Sequence, residues 1–185
     1  MHKMFPVTIS SNIYPLHRIC LIFIGSILIA LSAQMTIPLL PIPITLQTTA
    51  VLLLSMLFGP SIGSSIIIIY LAEGLLGIPV FAHYSSGLPI LLGPRGGYLL
   101  GFLPASIIAG YLAQQNIFRH PIMIFLNICI STFIIFIVGM IVLAHFVGWQ
   151  KAYLLGVAPF YVTEFIKIMA LTGTLTLTNK YIIMN

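Results

Sequence analysis

Long apolar runs, separated by stretches rich in proline and glycine, are the feature that most limits how this chain can fold. A transmembrane helix needs about 20 apolar residues, and the run from Leu16 to Ile37 supplies them. Only 5% of the 185 residues are charged, whereas soluble domains carry about 25% charged residues. Because so few polar side chains cannot cover a surface that faces water, the sequence predicts an all-α integral membrane protein in the lipid bilayer.

The apolar runs predict six transmembrane helices that form a single domain over residues 1–185. Proline marks many of the boundaries, since it disrupts a helix interior but suits the first helical turn. The predicted spans are residues 16–37, 46–58, 60–76, 98–114, 121–146 and 159–179. The second and third are short, so we expect them to gain length from their flanks, to tilt or to be shielded by neighbouring helices. The loops Pro38 to Thr45 and Gly77 to Gly97 are rich in proline and glycine, and we expect both to be structured.

Basic residues give the expected orientation. Four lie at one side of the predicted membrane and two at the other, namely Lys3, Arg18, Arg119 and Lys180 against Arg95 and Lys151. Because cytoplasmic loops are enriched in Lys and Arg, this distribution favours a protein of the cytoplasmic (inner) membrane with both termini inside. The two proline- and glycine-rich loops then face outward. Basic residues dispersed in this way form no nucleic-acid-binding patch, and we expect no nucleic-acid partner.

Two charged residues lie inside the last predicted span. Glu164 and Lys167 are three positions apart, so both side chains project from one face of a helix. A charged residue at the centre of a membrane helix costs about 2.5 to 3.5 kcal/mol on insertion scales. One interpretation is that the pair only neutralises itself and ties helices together. The other, which we favour, is a polar site open to the outer side.

The stretch LLGPRGGYLLGF places an arginine in the second long loop. Three glycines flank it and permit positive φ, so that backbone can fold closely over a small molecule: Gly93, Gly96 and Gly97. The dipole of the helix expected to begin at Tyr98 favours an anion here, and the planar fork of Arg95 matches a carboxylate. There are two alternatives: Arg95 faces water, or it pairs with Glu73.

Together these charges predict a site for a small anion. Arg95, Lys167 and Glu164 carry a net charge of +1. A monoanion would neutralise a partly desolvated site of that charge. Apolar and aromatic residues would line its middle, as they do in most small-molecule pockets.

Four stretches of the chain resemble the BioY family, the biotin-binding membrane subunits (S components) of energy-coupling-factor (ECF) transporters. They are IPLLPIPITLQTTAVLLLSMLFGP, GLLGIPVF, SSGLPILLGPRGGYLLGF and a final helix with the pattern PF…E..K. The resemblance covers the chain from about Ala33 to Ile168. It implies six transmembrane helices, a biotin pocket near the outer face closed by outer loops, and high-affinity biotin uptake, either with an ECF transporter or by the chain alone.

The resemblance also implies which residues contact biotin. The acid–x–x–Lys element of the family maps onto Glu164 and Lys167, although the family usually has Asp at the first position. The glycine loop often reads G-P-T-G-G in the family, so Arg95 is a departure. The other candidates for substrate binding are Gly96, Gly97 and Tyr98 in the glycine loop, His83, Tyr84 and Ser86 in the preceding segment, and Gln47 and Asn127 in helices. Asn127 either donates a hydrogen bond inside the pocket or forms one between two helices, and we favour the latter.

Partners follow from the same resemblance. The sequence has no G-x-x-x-x-G-K-[ST] motif for ATP. The resemblance implies docking of the first helix onto a transmembrane coupling protein that carries two ATPases. Small residues on that helix offer the docking surface, namely Ser26, Ala30 and Ala33. Action without such partners, including as a homo-oligomer, stays open.

Two other functions compete with biotin uptake. The first is binding of another small carboxylated vitamin on the same scaffold. The second is a membrane enzyme or a proton-coupled carrier with Glu164 as its relay. A Ser/His/Asp set, a metal cluster and a convincing nucleophile are all missing from the sequence. We therefore predict no enzymatic activity, no catalytic residue, no cofactor and no metal site.

Overall fold

The computed structural model describes residues 14–115 and 120–184, with side chains through Asn179. Lys3 and Arg119, which contribute to the predicted orientation, lie outside the described residues, as does the Lys180 side chain. The elements in chain order are α1 (Pro15–Gln34), β1 (Thr36–Ile37), β2 (Ile44–Thr45), α2 (Gln47–Leu75), α3 (Leu88–Leu91), α4 (Gly96–Ala113), α5 (Pro121–Val147), α6 (Trp149–Gly156) and α7 (Tyr161–Met184). Single 3₁₀ turns precede α3 and α7, at Ala82–Tyr84 and Ala158–Phe160.

Helix α2 is a hairpin of two helical halves. Gly59 has φ 79° and ψ 176°, which interrupts the helix, and Pro60 starts the second half. A Cβ on Gly63 would lie 2.9 Å from the Cα of Ser55, whereas residues eight apart in a straight helix are about 12 Å apart. The two halves therefore run antiparallel. Five helices of the described chain are long and apolar enough to cross a membrane, and since α2 supplies two segments, the predicted fold of six membrane-spanning helices is confirmed.

Helix α4 lies at the centre of the bundle, between α2 and α5. In its most apolar stretch 61% of the residues are buried, against 22% in α1. Glycines bring it close to α5, since a Cβ on Gly97 would lie 2.6 Å from the Cβ of Val142. A Cβ on Gly101 would lie 3.1 Å from the Cα of Ile135. Small residues allow membrane helices to approach in this way.

Helix α1 packs its small residues against the second half of α2. Ser26 is fully buried and its hydroxyl donates to the Glu73 carboxylate at 2.9 Å. Ala33 is also fully buried, and Ala30 is partly buried. Ser26 and Ala33 are therefore covered within the chain, and the structure does not support the predicted docking surface at these two positions. The physical reason is that small residues favour close helix packing wherever a neighbour lies, and here that neighbour is within the chain.

The two loops are structured and lie over the same end of the bundle. Strands β1 and β2 pair antiparallel, with Thr36 opposite Thr45. Helix α1 therefore ends at Gln34, and the predicted extension of the first span to Ile37 is wrong. The Gln34 amide joins the loops, since its Nε2 donates to the Phe81 carbonyl and its Oε1 accepts from the Tyr84 N–H, both at 3.1 Å.

Helix α6 has no counterpart in the predicted elements. Gly148, with φ 81°, ends α5 and allows the chain to turn. The eight residues of α6 are about 12 Å long, which is too short to cross the bilayer. The Tyr98 hydroxyl donates to the Gly156 carbonyl at 2.7 Å, so α6 is fixed to α4.

Candidate functional site

A cavity of about 60 Å³ lies beneath the two loops, between α2, α4, α5 and α7. Its polar lining comes from both loops and from helices α2 and α7, namely Thr45, Gln47, Thr48, Ser85, Arg95 and Glu164. Its apolar lining includes Ile42, Phe81, Phe102, Phe136 and Phe160. Because one acidic and one basic side chain share this small apolar space, the cavity suits a ligand with polar groups and an apolar middle.

Glu164 and Lys167 form an ion pair on α7, with side chains that are 9% and 11% exposed. The Lys167 ammonium also donates to the Thr45 carbonyl at 2.9 Å and to the Thr48 hydroxyl at 2.7 Å. An ammonium has three N–H groups, so Lys167 is fully bonded. Glu164 faces the cavity, whereas Lys167 lies behind it and does not contribute to the lining. The pair thus joins α7 to β2 and the first turn of α2.

Arg95 is the residue that precedes α4, and it lines the cavity from the loop side. Its Nε donates to the Pro41 carbonyl at 2.9 Å, and this is its one hydrogen bond to the described residues. Within residues 14–115 and 120–179, Lys167–Glu164 is the only ion pair, so the alternative pairing of Arg95 with Glu73 is wrong. The terminal nitrogens of the partly buried Arg95 are therefore available to a ligand.

The glycines beside Arg95 belong to a helix and not to an open loop. Gly96 and Gly97 form the first turn of α4, and neither they nor Gly93 has a positive φ. The positive φ that the sequence led us to expect at these glycines is therefore absent, and the three residues allow close packing. The Tyr98 ring lines the cavity, while its hydroxyl bonds to α6.

Gln47 lines the cavity and holds the loop end of α2 in place. Its amide Nε2 donates to the Tyr70 hydroxyl across the α2 hairpin. Its Oε1 accepts from the Thr45 hydroxyl at 3.1 Å. The Tyr70 hydroxyl in turn donates to the Val80 carbonyl at 3.2 Å. This buried chain of bonds links both loops to the cavity wall.

Three other predicted residues lie outside the cavity lining. His83 and Tyr84 adopt positive φ in the 3₁₀ turn and are exposed, which leaves Phe81 and Ala82 to face inward. Ser86 is partly buried and does not line the cavity, although Ser85 does. Their predicted place in the lining is not supported, because the turn directs their side chains away.

Asn127 is fully buried between helices and does not line the cavity. Its Nδ2 donates to the Ala109 carbonyl of α4 at 3.0 Å, and its Oδ1 accepts from Ser131 at 3.3 Å. The structure therefore agrees with the interhelical alternative.

Sequence reasoning missed two threonines of the candidate site, Thr45 and Thr48. Their three-residue spacing around Gln47 at the start of a helix is the signal that could have found them.

The fold defines a multi-pass membrane protein with a partly polar cavity beneath its loops. The chain belongs to the BioY family, whose sequence profile matches residues 3–183. The family resemblance of the sequence is thereby confirmed.

Two relatives illustrate the match. A probable biotin transporter BioY from Pyrococcus horikoshii is 40% identical over 140 residues, which are 76% of this chain and 82% of the relative. Biotin transporter BioY2 from Lactococcus lactis subsp. cremoris is 34% identical over 175 residues, or 90% and 96% of the two chains. Both relatives are named as transporters and not as enzymes.

A solved structure has the same fold. It is the S-component for biotin from an ECF-type ABC transporter, and it superimposes with a TM-score of 0.72. The superposition covers 91% of this chain and 95% of that chain at 21% sequence identity. At this identity the likeness concerns the fold.

Proposed function

We propose that this chain binds biotin with high affinity for uptake across the cytoplasmic membrane. It would do so as the substrate-binding subunit of an ECF-type transporter or alone. The observation that carries the proposal is the cavity in which Glu164, backed by Lys167, and Arg95 share an apolar space. The names of the relatives support biotin as the ligand.

The chemistry of biotin fits the two charged regions. Biotin has a polar ureido ring, an apolar thioether ring and a valerate carboxylate. The Glu164 carboxylate accepts hydrogen bonds from the ureido N–H groups, and the Thr48 hydroxyl lies beside it. Lys167 pairs with Glu164 and orients its carboxylate. Phe136 and Phe160 contact the thioether ring and the alkyl chain.

Arg95 binds the carboxylate at the other end of the ligand. Its free terminal nitrogens suit a paired, charge-assisted hydrogen bond. With Arg95, Lys167 and Glu164, the surroundings carry a net charge of +1, which a monoanion neutralises. The remaining predicted residues contribute through position, since Gly96 and Gly97 set the start of α4, and Tyr98 and Gln47 line the walls.

Binding requires the cavity to widen. Pockets that hold drug-sized ligands measure about 300 to 1,000 Å³, and the cavity measures about 60 Å³. The covering elements are the β1–β2 hairpin and the segment around Phe81. The Arg95–Pro41 hydrogen bond closes the hairpin over α4. We propose that entry of biotin breaks this bond and moves the hairpin, while the carboxylate binds the terminal nitrogens of Arg95.

The same proposal includes the orientation of the chain in the membrane and its partner proteins. With both termini in the cytoplasm, the loops and the cavity face outward, where biotin arrives. A transmembrane coupling protein with its ATPases is the proposed partner for release inward, and a homo-oligomer is the alternative assembly.

Thermal unfolding of the purified chain with a panel of vitamins tests the ligand. A ligand at 100 times its dissociation constant stabilises a protein by about 2.7 kcal/mol. We expect biotin to raise the unfolding temperature and other carboxylated vitamins to leave it unchanged. A shift with another vitamin and none with biotin would assign the site to that vitamin instead.

A further inference from the structure

A second and larger cavity is a groove on the bilayer-facing side of α5, α6 and α7. Its volume is about 710 Å³, and its lining is mostly aromatic and aliphatic. Along α5 the lining extends from Phe125 to Ile141, which corresponds to about 24 Å of helix. The hydrocarbon core of a bilayer is about 30 Å thick. The groove is therefore longer than one leaflet and has room for an extended acyl chain.

One end of the groove carries polar groups. Trp149, Tyr153 and Tyr161 line it there, and these residue types are enriched at membrane–water interfaces. The hydroxyls of Tyr153 and Tyr161 are 3.0 Å apart and exposed. Only one of the two can donate to the other, so one hydroxyl proton has no partner among the described residues. That proton is available to an acceptor at the end of the groove.

We propose that this groove binds one phospholipid molecule. An acyl chain lies along α5, and a phosphate oxygen accepts a hydrogen bond from the Tyr153–Tyr161 pair. The site is distinct from the proposed vitamin site, because Tyr153, Tyr161 and Trp149 do not line the smaller cavity. The two share a wall, however, made of Phe136, Phe160 and Glu164, so the lipid touches the back of the vitamin site.

A lipid fits this groove better than a second copy of the chain. Close association of membrane helices is favoured by small residues at the contact. The exposed residues along this groove are bulky instead, with Phe133 65% and Phe165 59% exposed. A flexible acyl chain can pass between such rings, whereas a rigid helix would be held away from the groove floor.

Tryptophan fluorescence provides the test, because Trp149 is the only tryptophan in the chain. The full chain in detergent micelles is titrated with phosphatidylcholine that carries brominated acyl chains, which quench tryptophan on contact. We expect saturable quenching at about one lipid per chain. Quenching that rises without saturation would show only unspecific surrounding lipid and would overturn the proposal.

A matched pair of variants locates the lipid. Cys129 lines the groove, whereas its neighbour Ile130 is exposed on α5 outside it. Cys129→Phe should raise the half-saturating lipid concentration at least tenfold, and Ile130→Phe should not change it. Equal curves for both variants and the wild type would contradict the groove as the site.

A third variant tests the headgroup contact without changing the volume of the groove. The double substitution Tyr153→Phe and Tyr161→Phe removes both hydroxyls and keeps both rings. It should weaken quenching by brominated phospholipid severalfold, yet leave quenching by a brominated alkyl detergent without phosphate unchanged. Native mass spectrometry provides the remaining check, since dimers that Cys129→Phe abolishes would assign the groove to a second copy.

Discussion

The Lys167 ammonium donates a hydrogen bond to the Thr48 hydroxyl at 2.7 Å, which ties the last helix to the first turn of α2. The same ammonium bonds to Glu164 and to the Thr45 carbonyl. A charge with all its donors satisfied can persist inside a membrane protein. These bonds also fix Glu164 in the wall of the cavity that Arg95 lines from the loop side.

Removing the ammonium should abolish most biotin binding. In Lys167→Ala, Glu164 is left as an uncompensated buried carboxylate, and breaking a buried pair costs about 3 to 5 kcal/mol. We expect biotin affinity to fall by more than 100-fold while the protein still inserts into the membrane. Equilibrium binding and the amount of protein in the membrane fraction measure the two effects. Lys151→Ala, at an exposed lysine of α6, is the control, and unchanged affinity in Lys167→Ala would make the pair purely structural.

The carboxylate of Glu164 should matter through its charge as well as its position. Glu164→Gln keeps the shape and loses the charge-assisted hydrogen bond, which is worth about 1.5 to 3 kcal/mol. We expect biotin to bind about 10- to 100-fold more weakly. Glu164→Asp keeps the charge, and its affinity for biotin should fall less than that of Glu164→Gln. Calorimetric titration of the three proteins compares them, and a larger loss in Glu164→Asp would show that length outweighs charge.

Arg95 should recognise the carboxylate of biotin specifically. Arg95→Ala removes a charge-assisted hydrogen bond, worth about 1.5 to 3 kcal/mol, from biotin but not from biotin amide. The affinity for biotin should therefore fall about 10- to 100-fold, and that for the amide should change little. Competition binding with both ligands measures this ratio. Equal losses would mean that Arg95 acts on the loop through Pro41 and not on the ligand.

Thr48 should stabilise the fold through its bond to Lys167. Thr48→Val keeps the shape and leaves one ammonium donor unpaired, at a cost of about 1 to 3 kcal/mol. The neighbouring Thr49 has no side-chain hydrogen bond to the described residues, so Thr49→Val is the matched control. Thermal unfolding without ligand should show a lower transition temperature for Thr48→Val alone. Identical transitions would show that the Lys167–Thr48 bond adds no stability.

Ser26 should act inside the chain and not at a partner interface. Its hydroxyl donates to Glu73, so Ser26→Ala leaves that carboxylate without its donor and should cost about 1 to 3 kcal/mol. Ser32→Ala is the control, because Ser32 bonds only to its own helix. Denaturant unfolding in micelles measures the difference. Full stability in Ser26→Ala would contradict a role for this hydroxyl in joining α1 to α2.

The sequence predicts the membrane fold and singles out the charged residues in and behind the cavity for one reason. In an apolar chain each charge is costly, so Glu164, Lys167 and Arg95 stand out against their neighbours in the sequence. The number of helical segments follows from the proline positions, including Pro60 at the turn of the α2 hairpin.

The sequence does not predict which way small residues and loop side chains point, nor does it predict the short helix α6. Ser26 and Ala33 could face either a partner or α2, and only the packing decides. The side chains of His83 and Tyr84 point outward because of positive φ values, which non-glycine residues seldom adopt. The eight residues of α6 are too few to show a helical pattern.

Binding of radiolabelled biotin to membrane vesicles that carry the chain is the most direct test of the central claim. The vesicles are prepared with the wild type and with Lys167→Ala, each with and without coupling subunits. We predict saturable binding to wild-type vesicles that excess unlabelled biotin displaces, and little binding to the variant. No saturable binding to wild-type vesicles, in either the presence or the absence of the coupling subunits, would contradict the claim.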